Sequence, residues 1–385
     1  MKKRFRRWFH AMALAAALGA AAMLSPLQAQ APPKRLLTVD DYFRIQRVSD
    51  PQISPDGQWV AYVVSTSDLA KDRSESRVWM VPAAGGEPIA LTVKGSSSSS
   101  PRWSPDGKYL AFLSARSEGE TQVWLLNRQG GEAEQLTQVK QGVNGFDWSP
   151  DAGRLALVVR DQTPEQAGDT TWIGHTAKTQ RPWVIDRLQF KRDGAGYLDR
   201  RRNHLYLFDL GTKALRQLTS GDWDNSGPAW SPDGRLIAFT SNRDTVDGSY
   251  NSDIWIVSSD DTTKGGTIRR LTTEPGQDGG PAWSPDGRWI AYQRQPSADP
   301  VALIYDPQHI AVMPVGGGAP RALTSRLDRD IRSLRWAPDG RSLWGVLEDS
   351  GDNHLVRVNA QTGEVTRVVD GAHSVGGFSL SKGGV

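Results

Sequence analysis

The sequence predicts an all-β fold, a β-propeller of four-stranded antiparallel blades, and three observations carry that prediction. The turn phrase Ser-Pro-Asp-Gly or a close variant starts at residues 54, 104, 149, 231, 284 and 337, so successive copies stand 50, 45, 82, 53 and 53 residues apart. A period in that range marks a stacked repeat. Tryptophan precedes the turn in five copies, at Trp103, Trp148, Trp230, Trp283 and Trp336. Between turns, short runs rich in β-branched and aromatic residues recur without a helical period, which is the propeller signature.

The amino end reads as a targeting segment over residues 1–31. Lys2, Lys3, Arg4, Arg6 and Arg7 precede an apolar run from Ala11 to Leu24, and Ala29 and Ala31 suit a cleavage site. The run is too short to span a bilayer and no second one follows, so a secreted or periplasmic protein without a membrane span is expected. Without the leader, 46 basic residues become 41 against 43 acidic ones, a net charge near −2. The apparent basicity therefore belongs to the leader, and a nucleic-acid partner loses its electrostatic warrant. Zero cysteines exclude disulfides, thiol catalysis and thiolate zinc sites, and no cofactor is expected.

The remaining body, residues 32–385, is read as propeller throughout. The copy that opens at Gly227 is the cleanest: Arg235–Thr240, Asp253–Val257 and Thr267–Thr272 follow the turn as its remaining strands. In the turn itself Pro presets φ, Asp tolerates the next position, and Gly takes the left-handed conformation that restores pairing. The repeated aspartates are read as scaffolding; one carboxylate per copy falls far short of the six to eight oxygens of a calcium site. The tryptophans before the turn, with Trp79, Trp124 and Trp255 in third strands, are read as packing between blades, with a ligand-stacking platform as the alternative.

The 82-residue gap places an insertion in the third blade, about residues 162–203. Asp193-Gly194 inside it predicts a hairpin turn. Arg187, Lys191, Arg192 and Arg200 to Arg202 make the segment basic, and insertions on one face of a repeat array are frequent binding sites. Arg187, Arg192 and Tyr197 are the candidate substrate-binding residues; the alternative is a solvated charged hairpin. At the carboxyl end, Gly377 to Gly384 falls into register as the start of a seventh copy, with Lys382-Gly383 in place of Pro-Asp. The expectation is six complete repeats plus the start of a seventh, a seven-bladed ring cut before closure, because missing strands would leave open edges.

No Gly-x-Ser-x-Gly elbow is present, and Ala372-His373-Ser374-Val375-Gly376 lacks the strand-to-helix setting such an elbow needs. His175, His204, His309 and His354 stand singly, without metal-ligand spacing. No catalytic residue and no metal ligand is assigned. A propeller enzyme with a site of its own at the central channel has only scattered acids behind it.

Leu37-Thr38-Val39-Asp40-Asp41-Tyr42, leading into Ser49-Asp50-Pro51-Gln52-Ile53-Ser54-Pro55-Asp56-Gly57, resembles the start of secreted bacterial prolyl oligopeptidase family serine peptidases, in the acylaminoacyl-peptidase and dipeptidyl-peptidase branch. The insertion from Arg187 to Tyr197 resembles the same branch. The resemblance implies a propeller that screens short peptide substrates by size for an α/β-hydrolase domain carrying the Ser, Asp and His of catalysis. That domain is absent from this chain, so no triad residue is carried over, and the chain alone is not expected to be catalytic. The repeats also resemble the TolB-type propeller, which leaves a second reading: a stand-alone periplasmic interaction module, its six-bladed ring closed by residues 36–50.

Overall fold

Five of the six turn phrases fold into the same serine-centred hydrogen-bonded corner. In the second copy the Ser104 hydroxyl donates to Asp106 Oδ1 at 2.6 Å and accepts the Tyr109 amide at 3.0 Å, while Asp106 Oδ1 also accepts the Lys108 amide at 3.1 Å. Gly107 closes the corner at φ +71° with its amide 2.8 Å from the Ser104 carbonyl. The serine is thus the hub of the corner, and its counterparts Ser54, Ser104, Ser149, Ser231 and Ser284 are all buried. The same bond from Ser54 holds the Asp56 carboxyl down to about 2. Ala337 in the sixth copy lacks the hydroxyl and keeps only the Arg341 amide bond to Asp339, 2.9 Å, and the Gly340 amide bond to its own carbonyl, 2.9 Å.

The third copy departs differently, with Ala152 at φ +58° where the others have glycine. A Cβ in the left-handed region is strained. Ala152→Gly is therefore expected to stabilise the protein by roughly 1 kcal/mol, read as a rise in the urea midpoint at unchanged m-value.

The computed structural model describes residues 35–383, apart from 117–118, 165, 169–183, 195, 244–249, 298, 300, 302–304 and 382. The targeting segment expected over residues 1–31 lies outside the described residues. Six four-stranded antiparallel sheets follow one another along the chain. Their first strands are Arg47–Ile53, Ser98–Trp103, Gly145–Trp148, Asn225–Trp230, Gln277–Trp283 and Ile331–Trp336. Blade three is split as expected: Arg154–Arg160 pairs with Asn203–Asp209 across the insertion.

The second strands of blades two to six bury both faces, and the period of two decides which neighbour each residue meets. Leu155, Leu157 and Val159 pack on Ala111 and Leu113 of blade two. Ala156 and Val158, between them in sequence, pack on Ile237 and Phe239 of blade four. The core is thus a series of inter-blade layers. Each layer is tied by a tryptophan: the indole N–H groups of Trp103, Trp148, Trp230, Trp283 and Trp336 donate to the carbonyls of Gln52, Arg102, Asp147, Ala229 and Ala282, at 2.9, 3.2, 3.3, 2.9 and 3.0 Å. Each acceptor lies one residue before the tryptophan position of the preceding blade. The third-strand tryptophans are only half-buried and lie under arginines instead, Arg116 5.0 Å above Trp124 and Arg243 5.3 Å above Trp255.

Two expectations are refined. Val39–Arg44 is a helical turn, because Thr38 and Asp41 form a cap: the Thr38 amide and hydroxyl donate to Asp41 Oδ2 at 2.8 and 2.9 Å. Residues 47–53 pair with the second strand of blade one, and blade six is a four-strand sheet from its own residues, so 36–50 adds no strand to it. Of the start of a seventh copy expected over Gly377 to Gly384, residues 377–380 form neither strand nor helix, and six blades are present among the described residues. Residues 377–380 lie beside blade one, where the Ile53 amide donates to Ser379 Oγ at 2.8 Å and Gly377 packs on Pro51.

Candidate functional site

First strands of successive blades touch one another, whereas the short fourth strands Ile89–Ala90, Glu134–Gln135, Arg269–Arg270 and Arg321–Ala322 are exposed. The first strands therefore line the centre and the fourth strands the rim. The residue before the tryptophan position is Gln52, Arg102, Asp147, Ala229, Ala282 and Arg335 in blades one to six. Bulges at Asp50, Ser100 and Ser333, each with φ between +50° and +61°, turn the strand just before it.

Four charges meet here. Arg102 Nη1 bonds both carboxylate oxygens of Asp50, at 2.9 and 2.8 Å, and the Pro101 carbonyl at 2.7 Å. Gln52 Nε2 braces the same carboxylate at 2.6 Å. Among the described residues Arg335 donates only to the Leu334 carbonyl, 2.8 Å; burial is the largest influence on its pKa and lowers it, and the charges of Arg102, Asp147 and Asp50 also act on it. The inner strands of blades one, two, three and six thus bring these charges within electrostatic reach of one another. Burial pushes the Asp147 carboxyl up to about 6, against the weak Trp230 amide bond at 3.4 Å and the pull of Arg102 and Arg335. The result is a cluster of two acids and two guanidiniums on the inner strands, with Asp50 and Arg102 bonded as an ion pair and Asp147 and Arg335 not bonded to each other. Such a cluster can sort charged chain ends. Among the described residues no group of His, Cys, Asp or Glu is gathered to hold a metal ion.

The insertion is pinned at its stem. Buried His204 places Nε2 3.3 Å from Asp161, and burial keeps its imidazole below the usual range. Asp161 Oδ2 accepts the Arg202 amide at 2.9 Å, and Asp224 accepts the Asn203 amide at 2.9 Å and Arg202 Nη1 at 3.1 Å. The predicted hairpin is present, Lys191–Arg192 pairing with Gly196–Tyr197 around a left-handed Gly194. Its basicity is largely spent internally. Arg200 pairs with Asp186, Arg201 with Asp199 at 2.7 Å, and Arg202 with Asp222 at 2.8 Å.

Of the three candidate residues, two lie on the hairpin and one outside it. Arg192 and Tyr197 stand at neighbouring positions of the hairpin, exposed, with the Tyr197 ring stacked on Phe190 at 6.4 Å and under the Lys191 ammonium at 5.9 Å. Arg187 lies outside the ladder, half-buried, with Nη2 unpartnered among the described residues. The channel quartet went unassigned in the sequence because Asp50, Arg102, Asp147 and Arg335 each read there as an isolated charge. The signal for Arg102, Asp147 and Arg335 was their shared repeat position, which Asp50 does not occupy.

Comparison with known proteins agrees with this architecture. Residues 197–306 match the family model described as PD40, TolB beta propeller domain. An uncharacterized peptidase, YuxL, of Bacillus subtilis is 35% identical over 229 residues, covering 58% of this chain and 34% of that protein. Dipeptidyl-peptidase 5 of Porphyromonas gingivalis is 27% identical over 365 residues, covering 89% of this chain and 51% of that protein. The solved acylaminoacyl peptidase of Pyrococcus horikoshii superposes with a TM-score of 0.67 at 18% identity, over 89% of this chain and 48% of that one. The chain thus spans a third to a half of the length of the proteins it matches.

Proposed function

From a chain that matches the β-propeller portion of prolyl oligopeptidase family peptidases, we propose that this propeller is the gate of a secreted serine peptidase of the acylaminoacyl- or dipeptidyl-peptidase type. It admits short peptides to an α/β-hydrolase domain that lies outside this chain and carries the catalytic triad. The observation that supports the reading is the gathering of Asp50, Arg102, Asp147 and Arg335 on the inner strands of four blades: charged side chains around the centre of the propeller would pass short, extended peptides and turn away folded chains. Secretion rests on the leader at residues 1–31. Arg192 and Tyr197, on the exposed hairpin, are then peripheral contacts for peptides or for the hydrolase domain.

The test uses the product of the complete reading frame and a ladder of chromogenic peptides of increasing length. Activity is expected on the shortest members only, and Arg102→Ala, which removes the bonded half of the cluster, is expected to extend the accepted length. Absence of peptidase activity, or equal activity on long and short peptides, would overturn the gate. The match to the TolB propeller model favours a second reading, a stand-alone interaction module. A catalytically inert product that forms a stable complex with an envelope protein would establish it.

A further inference from the structure

We propose that Arg335 is a carboxylate receptor within the channel, selecting peptides that present a free C-terminal carboxylate or an acidic side chain. The inference rests on the gate reading and adds a chemical preference to it. Arg102 and Arg335 occupy the same repeat position and each leans on the carbonyl of the residue before it, Pro101 at 2.7 Å and Leu334 at 2.8 Å. Their remaining hydrogen-bonding capacity differs. Arg102 already holds a carboxylate, its Nη1 bonding both oxygens of Asp50 at 2.9 and 2.8 Å, so its charge is matched. Arg335 is solvent-exposed and bonds no carboxylate among the described residues, although blade one's Asp50 and blade three's Asp147 both act on it through space.

A guanidinium presents five donors in a planar fork that suits a carboxylate bidentately. Arg335 satisfies one carbonyl and keeps the rest of that fork for the channel. Around it stand one bonded ion pair, Asp50 with Arg102, and one acid outside any ion pair among the described residues, Asp147, which accepts the Trp230 amide at 3.4 Å. That acid makes the receptor reversible, because its negative charge competes with an incoming carboxylate. A receptor with a rival charge beside it releases its ligand, which passage through a gate requires. Protonating Asp147 removes the rival, while the C-terminal carboxylate of a peptide stays ionised well below pH 5. Affinity for such peptides is therefore expected to rise as pH falls through about 6, the value to which burial lifts Asp147.

The experiment is calorimetric titration of the full chain with N-acetyl-trialanine and with its C-terminal amide at low salt. The carboxylate is expected to bind about tenfold more tightly than the amide, the ratio that one charge-assisted bond supplies. The preference should shrink with added salt and should grow several-fold between pH 7.5 and pH 5.5. Arg335→Gln should abolish it, and Arg335→Lys should restore part of it. Equal affinities for the two peptides, a preference intact in Arg335→Gln, or no binding of either overturns the proposal. Should Arg335→Gln fail to fold, the carboxylate-to-amide ratio and its pH trend in the unmodified chain still decide. A size-selective peptidase whose propeller ignores the carboxylate would sink this inference and leave the gate standing; a product without peptidase activity would sink the gate.

Discussion

Trp230→Ala is expected to lower stability by about 3–5 kcal/mol, in the range of large aromatic truncations in a packed core. The side chain is 7% exposed and lies within the layer of Ala156, Val158, Leu205, Leu207, Leu218, Ile237, Phe239 and Val257 that joins blades three and four. Three contributions go at once. The truncation leaves a cavity between two sheets whose strands are held by their own ladders and cannot collapse into it. It removes the indole bond to the Asp147 carbonyl at 3.3 Å and the stacking of the Arg154 guanidinium, 5.1 Å above the ring. Trp230→Phe keeps most of the volume and loses the hydrogen bond, so its cost should be nearer 1 kcal/mol. Urea denaturation of both variants measures the two. A loss below about 1 kcal/mol for the alanine variant would show that this layer does not hold the blades together.

Asp278→Asn is expected to stabilise the protein at pH 8 and to leave it unchanged near pH 4. Asp278 is 2% exposed at the junction of blades four and five, and its Oδ2 has no hydrogen-bond partner among the described residues. Asp253, equally buried, stands nearby with Arg270 at 2.7 Å, and Glu274 is paired with Arg294 at 3.1 Å. Burial, with help from the negative charges of Asp253 and Glu274, pushes the Asp278 carboxyl up to about 7. The folded state then holds a proton that the unfolded chain gives up near its ordinary carboxylate value of about 3.9. Stability is accordingly full below about pH 4, declines as pH rises from there, and is lost through pH 7, by an amount on the order of 2–4 kcal/mol. The asparagine variant carries no such proton. Its melting temperature should separate from that of the unmodified protein progressively between pH 5 and pH 8, and parallel curves over that range would refute the assignment.

The blades were legible because each residue of the turn phrase does local work: proline sets a dihedral, glycine takes a positive one, and the tryptophan before them marks the inner strand. Even there the sequence showed aspartate as merely tolerated. The serine that organises it reaches an amide five residues downstream, a contact visible only once the strand returns. The turn at Val39–Arg44 is too short to display a helical period, and its only signature was the Thr38-x-x-Asp41 cap. The charged cluster was illegible for a different reason. Asp50, Arg102, Asp147 and Arg335 belong to four blades, and nothing local brings them together. Aligning the copies column by column exposes three of them at one position, and Asp50 follows as the acid that Arg102 clamps.

The tryptophan ties all run one way: every indole reaches back to a carbonyl of the blade made before it. A nascent chain leaving the ribosome amino end first therefore always presents the acceptor before the donor emerges. Each blade can dock as soon as its own first strand is synthesised, onto a surface already in place, without waiting for later sequence. Growth of the array is vectorial, and blade one is the only one with no tryptophan to reach back, since Ile53 occupies that position. The molecule has a seed at one end and a growing edge at the other, a polarity written into five nitrogen atoms.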